Sequence, residues 1–246
     1  MTVPSARAEP ARAVMLELFP GGFEELETNG GVELVAYTDS SGEERLWQAF
    51  GSAEAAPVED GWEDRWRDFH RPIRIGPLWV GPPWEEAPPG AVAVRIDPGR
   101  AFGTGAHPTT RLCLELLLGV PRGSLLDVGC GSGVIAIAAA KLGFAPVLAL
   151  DSDAVAAEVA AANAAENAVD VEVRLAQAGD ALPEADTTVV NISFEAVSEI
   201  GPRLSGRQAI TSGYLVSEEP ELTGFCRAKR RSSDGWAADL HVRETK

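Results

Sequence analysis

The run Leu126-Asp127-Val128-Gly129-Cys130-Gly131-Ser132-Gly133-Val134-Ile135-Ala136 constrains the fold more than any other part of the chain. An apolar stretch ending near an acid reads as a buried strand. Glycines at alternate positions then let the backbone turn sharply and approach a ligand closely. The small apolar series from Ala136 to Ala140 continues a helix that can pack tightly on that strand. Strand, glycine turn and helix in this order form the first unit of a doubly wound α/β domain, with a helix N-terminus facing a nucleotide-sized cofactor.

The rest of the chain continues the alternation. Strands are expected at 92–96, 124–128, 146–150, 171–175, 186–191 and 208–212, and helices at 109–118, 132–142, 153–166, 194–204 and 217–225. A β pair at 226–231 and 236–243 closes the series. Such a pattern gives a mostly parallel sheet wrapped by helices, over a domain of residues 73–246. Ahead of it, residues 1–58 read as a small α+β module: a strand at 14–18, a turn at Gly21-Gly22 into a short helix at 23–26, and a strand at 32–37. Trp62, Trp66 and Phe69 fall at helical spacing before Pro72, which predicts a connecting helix over 59–72 with an aromatic packing face. Proline and glycine recur between Pro77 and Pro89, so that stretch reads as a wrapping segment pinned by Trp79 and Trp84.

Composition narrows the partners. With 246 residues and 45% hydrophobic content the chain can bury a sizeable core. Its longest apolar runs, such as Val134 to Ala140, fall far short of the ~20 residues that span a bilayer, and the first residues lack a signal-peptide core. A soluble, cytoplasmic protein with no membrane contact is the expectation, and a monomer. Cys113, Cys130 and Cys226 are widely spaced, which predicts free thiols and no structural zinc. Twenty-one basic against 37 acidic residues give a net charge of -16, which repels a phosphate backbone and suits a basic macromolecule. Direct nucleic-acid contact is therefore not expected, and the basic cluster at 227–231 reads as a solvated segment ahead of the last strand.

Nicotinamide, flavin and S-adenosylmethionine enzymes all use a glycine-rich turn, and its spacing separates them in part. A dinucleotide fingerprint places glycines at its first, third and sixth positions, whereas Gly129, Gly131 and Gly133 fall at first, third and fifth, with Asp127 two residues ahead. That pattern favours S-adenosylmethionine over NAD, since a donor without a pyrophosphate needs no third glycine beneath a phosphate and a zwitterionic methionine tail can use a nearby acid. Asp151, at the end of the next strand, is placed to accept from both ribose hydroxyls, or alternatively to cap the following helix.

The segment Asp97-Pro98-Gly99-Arg100-Ala101-Phe102-Gly103-Thr104-Gly105-Ala106-His107-Pro108-Thr109-Thr110-Arg111-Leu112 resembles the signature loop of the PrmA family, the methyltransferases that modify ribosomal protein L11. Asp127 to Gly133, Asp151 and Asn191 match that family as well, and the resemblance runs from about Gly61 to Trp236. It implies an α/β, Rossmann-like, class I S-adenosylmethionine-dependent methyltransferase domain carrying a small N-terminal α+β substrate-recognition domain on a linker helix. It also implies a donor held by Thr110, Gly129, Asp151 and Asn191, and repeated methylation of lysine side chains and the N-terminal amine of a basic ribosomal protein. The family usually follows its Asn with an aliphatic or aromatic pair; here Asn191-Ile192 runs into Ser193-Phe194.

Methyl transfer to an amine asks mainly for alignment and exclusion of water. Asn191 is the expected acceptor for the amine's hydrogens, and Phe102, in the glycine-flanked loop, the expected cover for the donor. Thr104 in that loop joins Thr110, Gly129, Gly131, Asp127, Asp151 and Asn191 as a cofactor-binding candidate. His107 could relay a proton or brace the loop. Phe194 could wall the amine pocket through a cation–π contact or simply pack in the core. Asp180 could touch adenine or close a turn.

Overall fold

The computed structural model describes residues 2–4, 7–19, 23–28, 31–36, 38, 40–51, 53, 71–97, 105–177 and 179–244. The chain divides into two compact units, Met1–Glu63 and Asp64–Lys246.

The first unit contains β1 (Thr2–Val3), α1 (Ala8–Leu18), β2 (Glu24–Thr28), β3 (Gly31–Val35) and α2 (Ser40–Phe50). Its strands form an antiparallel sheet in the order β1-β3-β2. Val32 and Leu34 of β3 bury against Ala8, Ala11 and Met15 of α1 and Leu46 of α2. The α+β class expected for this part holds, but two elements are exchanged. Residues 14–18, expected as a strand, are the last turns of α1, because Ala8, Ala11 and Met15 form a helical stripe that a five-residue window does not reveal. Residues 23–26, expected as a helix, enter β2, where Glu24 to Thr28 pair with Val35 to Gly31. The connecting helix expected at 59–72 falls almost wholly outside the described residues; Arg71 and Pro72 are irregular.

The second unit begins with β4 (Ile73–Ile75), β5 (Leu78–Gly81) and β6 (Val92–Arg95), a small sheet in that order. The wrapping segment is thus partly strand, and Trp79 is buried on β5 against Gly81. There follow α3 (Pro108–Leu117), β7 (Leu125–Val128), α4 (Val134–Lys141), β8 (Val147–Asp151), α5 (Ala154–Glu166), β9 (Glu172–Leu175), β10 (Thr187–Asn191), α6 (Phe194–Ile200) with a 3-10 turn at Gly201–Arg203, β11 (Gln208–Leu215), β12 (Phe225–Ser233) and β13 (Trp236–Arg243). The seven-stranded sheet runs β12-β13-β11-β10-β7-β8-β9. Five strands are parallel, and β13 and β12 add to one edge antiparallel.

Both faces of the sheet are covered along its central strands β7, β8 and β10, which is why these read as apolar runs. Leu125, Val147, Ala149, Val189 and Ile210 face α3 and α4, whereas Leu126, Val128, Leu150, Val190 and Ala209 face α6. The helix expected at 217–225 does not form. Pro220 interrupts it, and the acids beside it act otherwise: Glu218 accepts from the Leu215 N–H, and Glu219 pairs with Arg227 and Arg230. Among the described residues no helix is long and apolar enough to cross a membrane.

Candidate active site

The parallel strands β7, β8 and β10 all end on one edge of the sheet, where α/β folds hold their ligands. The glycine turn after β7 is fastened there by backbone groups: the Gly129 and Cys130 N–H groups both donate to the Leu150 carbonyl, at 2.8 and 3.0 Å, and Gly133 donates to Cys130. Gly129, Gly131 and Gly133 have φ of 71°, 53° and 80°, a left-handed course that side chains disfavour. Asp151 Oδ2 accepts from the Gly131 N–H at 2.8 Å, and Oδ1 accepts from the Asp153 N–H at 3.0 Å. The helix cap of α5 is Asp153, which accepts from Val155, so Asp151 is left at the strand end facing the turn.

Asp127 sits behind the turn, 1% exposed, and its Oδ2 accepts from the Ala136 N–H in the first turn of α4 at 3.1 Å. Burial pushes its carboxyl up to about 7; the Ala136 N–H opposes this and the nearby Asp151 charge reinforces it. In the turn itself, burial also raises the Cys130 thiol, with Asp127 and Asp151 adding to the effect.

Across the edge, Asn191 ends β10 and its Nδ2 donates to Thr110 Oγ1 at 3.4 Å. Thr110 is 1% exposed, in the first turn of α3. That helix is capped by His107, whose Nδ1 accepts from the Thr109 N–H and lies 2.7 Å from Thr109 Oγ1. The imidazole also stands edge-on to Trp236, at 5.0 Å between centroids, and burial lowers its pKa. Phe194 packs with the α6-side core and stands edge-on to Tyr214, and Asp180 accepts from the Gln177 N–H in a turn. Phe102 and Thr104 lie outside the described residues.

Three residues that the sequence reading did not single out shape this edge. Gly213 is the bulge of β11, with φ of 98°, and a Cβ there would come within 2.5 Å of the Ile192 carbonyl oxygen; it sets the course of the chain just after Asn191. Asn163, on α5, and Asn167, its C-cap, are buried and bind backbone on neighbouring segments. Two asparagines one turn apart in an alanine-rich helix are the signal that could have found them.

The profile of the family described as Ribosomal protein L11 methyltransferase (PrmA) matches residues 31–237. The chain belongs to this family. A ribosomal protein L11 methyltransferase of Symbiobacterium thermophilum is 39% identical over 202 residues, 75% of this chain and 66% of that protein. One from Vibrio cholerae is 42% identical over 183 residues, 69% of this chain and 62% of that protein. The chain thus spans a little under two thirds of the length of the curated relatives it matches. The crystal structure of a ribosomal protein L11 methylase from Lactobacillus delbrueckii subsp. bulgaricus superposes with a TM-score of 0.62 at 29% identity, covering 72% of this chain and 100% of that one. A putative methyltransferase, yhhF, from Escherichia coli superposes with a TM-score of 0.50 at 17% identity, covering 72% and 100%, and shows the fold alone. The fold of this PrmA-family chain is the Rossmann-like class I methyltransferase architecture that the resemblance implied, accompanied by a small N-terminal α+β unit.

Proposed function

We propose that this chain transfers methyl groups from S-adenosylmethionine to amino groups, lysine side chains and the N-terminal amine, of a basic ribosomal protein in the cytoplasm. The observation that carries the reading is the approach of Asn191 to Thr110 beside a left-handed glycine turn held by Asp151, in a chain of the PrmA family.

The residues present suit that donor. A carboxylate has about four lone-pair directions, so Asp151, after accepting from Gly131 and Asp153, retains capacity for ribose hydroxyls. Gly129 and Gly131 bring the backbone close, and Thr110 and Asn191 supply polar groups on the opposite side. Asp127 acts from beneath, by holding the start of α4 to the turn. Phe102 and Thr104 are assigned to the donor as residues of the glycine-flanked loop. When bound, S-adenosylmethionine supplies an activated methyl group on a positively charged sulfur.

The chain's own residues do the rest. A lysine ammonium, with a pKa near ~10.4 in water, must lose its proton before its nitrogen can attack, and a poorly solvated approach penalises the charged form. Asn191 directs its amide nitrogen to Thr110, which leaves the carboxamide oxygen on the other limb to accept from the amine's N–H and orient its lone pair. A neutral acceptor does not hold the amine as a salt-bridged cation, which suits repeated methylation of one nitrogen. His107, capping α3, keeps Thr110 in place. The net charge of -16 attracts a basic substrate.

Incubating the chain with methyl-labelled S-adenosylmethionine and purified ribosomal proteins tests the reading. Label is expected on amines of one basic protein. Label on none, or only on RNA, would contradict it.

A further inference from the structure

One face of α5 joins two parts of the site that are distant in sequence. Asn163 and Asn167 are 4% and 5% exposed, so each carboxamide needs partners in place of water. Asn163 Nδ2 donates to the Ser132 carbonyl at 2.9 Å, and its Oδ1 accepts from the Asp97 N–H at 3.2 Å. Asn167 turns to β6 instead: its Oδ1 accepts from the Arg95 N–H at 2.9 Å, and its Nδ2 donates to the Arg95 carbonyl at 2.5 Å and to the Asn163 carbonyl at 2.8 Å. One turn before Asn163, Ala160 lies so that a Cβ on Gly133 would come within 3.1 Å of its own Cβ.

Ser132 stands between Gly131 and Gly133, both in the left-handed region that side chains disfavour. The Ser132–Gly133 peptide is held from within by its N–H on the Cys130 carbonyl, and the turn is held from outside on both sides. Asp151 takes the Gly131 N–H on one side of the turn, and Asn163 takes the Ser132 carbonyl on the other. The remaining limb of Asn163 holds Asp97, the first residue of the family's signature segment.

We infer that Asn163 is a positioning residue that keeps the glycine turn in register with the start of the signature segment, and that Asn167 fastens β6 to the C-terminal end of α5. The inference rests on the reading of the turn as the seat of S-adenosylmethionine. Without Asn163 the Ser132 carbonyl loses this outside hold, and the Gly131 N–H is less firmly set against Asp151, where the donor's ribose would bind. Asp97 loses its anchor at the same time. Without Asn167 the fold loosens at β6 while the turn stays held.

The test compares the full chain with Asn163→Asp, Asn163→Leu and Asn167→Leu by melting temperature, by calorimetric titration with S-adenosylhomocysteine, and by separate KM and kcat for S-adenosylmethionine. Asn163→Asp keeps an acceptor for Asp97 but sets a carboxylate oxygen against the Ser132 carbonyl. It is expected to weaken S-adenosylhomocysteine about tenfold with kcat within about twofold. Asn163→Leu loses both links and is expected to weaken binding by at least about tenfold and to lower kcat as well. Asn167→Leu should lower the melting temperature as much as Asn163→Leu and leave binding within about twofold, measured where both are folded. Should either leucine variant fail to fold, Asn163→Asp and Asn167→Asp carry the same comparison. Parent-like affinity in the Asn163 variants, or a loss in the Asn167 variant that tracks its melting temperature, would overturn the inference alone. No uptake of S-adenosylhomocysteine by the parent chain would overturn the donor reading and the inference with it.

Discussion

Asn191 and Thr110, 81 residues apart in sequence, meet through a hydrogen bond of 3.4 Å between the end of β10 and the first turn of α3. The pair lies beside an apolar layer that includes Val189, Cys113 and Leu114. Each residue sets the direction of the other, so the proposed amine acceptor is oriented by a residue of the signature segment.

Replacing Thr110 by valine keeps the shape and removes the hydroxyl. Because one hydrogen bond contributes about 1 kcal/mol net, affinity for S-adenosylhomocysteine is expected to fall up to about tenfold, with a larger fall in kcat as Asn191 loses its partner. Calorimetry and initial rates check this. Parent-like values of both would show that the hydroxyl holds nothing.

Gly213→Ala places a Cβ within 2.5 Å of the Ile192 carbonyl oxygen at a backbone φ of 98°. The expected loss is about 1–3 kcal/mol of stability, and turnover falls further because Ile192 follows Asn191 directly. An unfolding midpoint in urea equal to the parent's would refute the account of the bulge.

The carboxyl of Asp127 carries a folded-state pKa of about 7, raised by burial above its unfolded value. The folded state then binds the proton more tightly, so this group's stabilisation is full below about pH 4 and is lost as pH rises through about 7. Relative to Asp127→Asn, the parent should lose on the order of 2–3 kcal/mol between pH 5 and pH 8. A constant difference between the two unfolding curves across that window would be the contrary result.

His241 titrates in the opposite sense. It is 2% exposed with Nε2 3.1 Å from Thr211 Oγ1, near Asp239, Tyr214, Arg227 and Arg230. Burial first, then the two arginines, lower its pKa to about 4. The unfolded chain, with an imidazole near ~6.5, takes up the proton first, so stability is present above that value and is lost as pH falls towards 4. His241→Gln should remove on the order of 2 kcal/mol of the loss between pH 7 and pH 4.5, read from urea midpoints. An undiminished loss in the variant would assign the acid sensitivity elsewhere.

The parallel sheet was legible because burial on both faces turns β7, β8 and β10 into apolar runs, with the glycine turn marking where their ends hold a ligand. Short antiparallel elements were not. β4 and β5 are three and four residues long and hidden among Pro72, Gly76, Pro77 and Pro82, and β2 carries Glu24, Glu25 and Glu27, which mimic the acidic first turn of a helix. Asp151 and Asn191 were legible as strand-end residues because the alternation itself fixes where β8 and β10 stop. Asn163 and Gly213 were not, since a helix-face asparagine and a bulge glycine acquire their roles only from chain brought near them by tertiary packing.

The central claim is that the sheet edge carrying the glycine turn and Asn191 takes up S-adenosylmethionine through Asp151. Calorimetric titration of the parent and Asp151→Ala with S-adenosylhomocysteine, and of the parent with NAD, tests it most directly. The account predicts saturable binding of one S-adenosylhomocysteine per chain, weakened at least about tenfold by Asp151→Ala, and no heat with NAD. Binding of NAD, absence of S-adenosylhomocysteine binding, or equal affinity in parent and variant would contradict it.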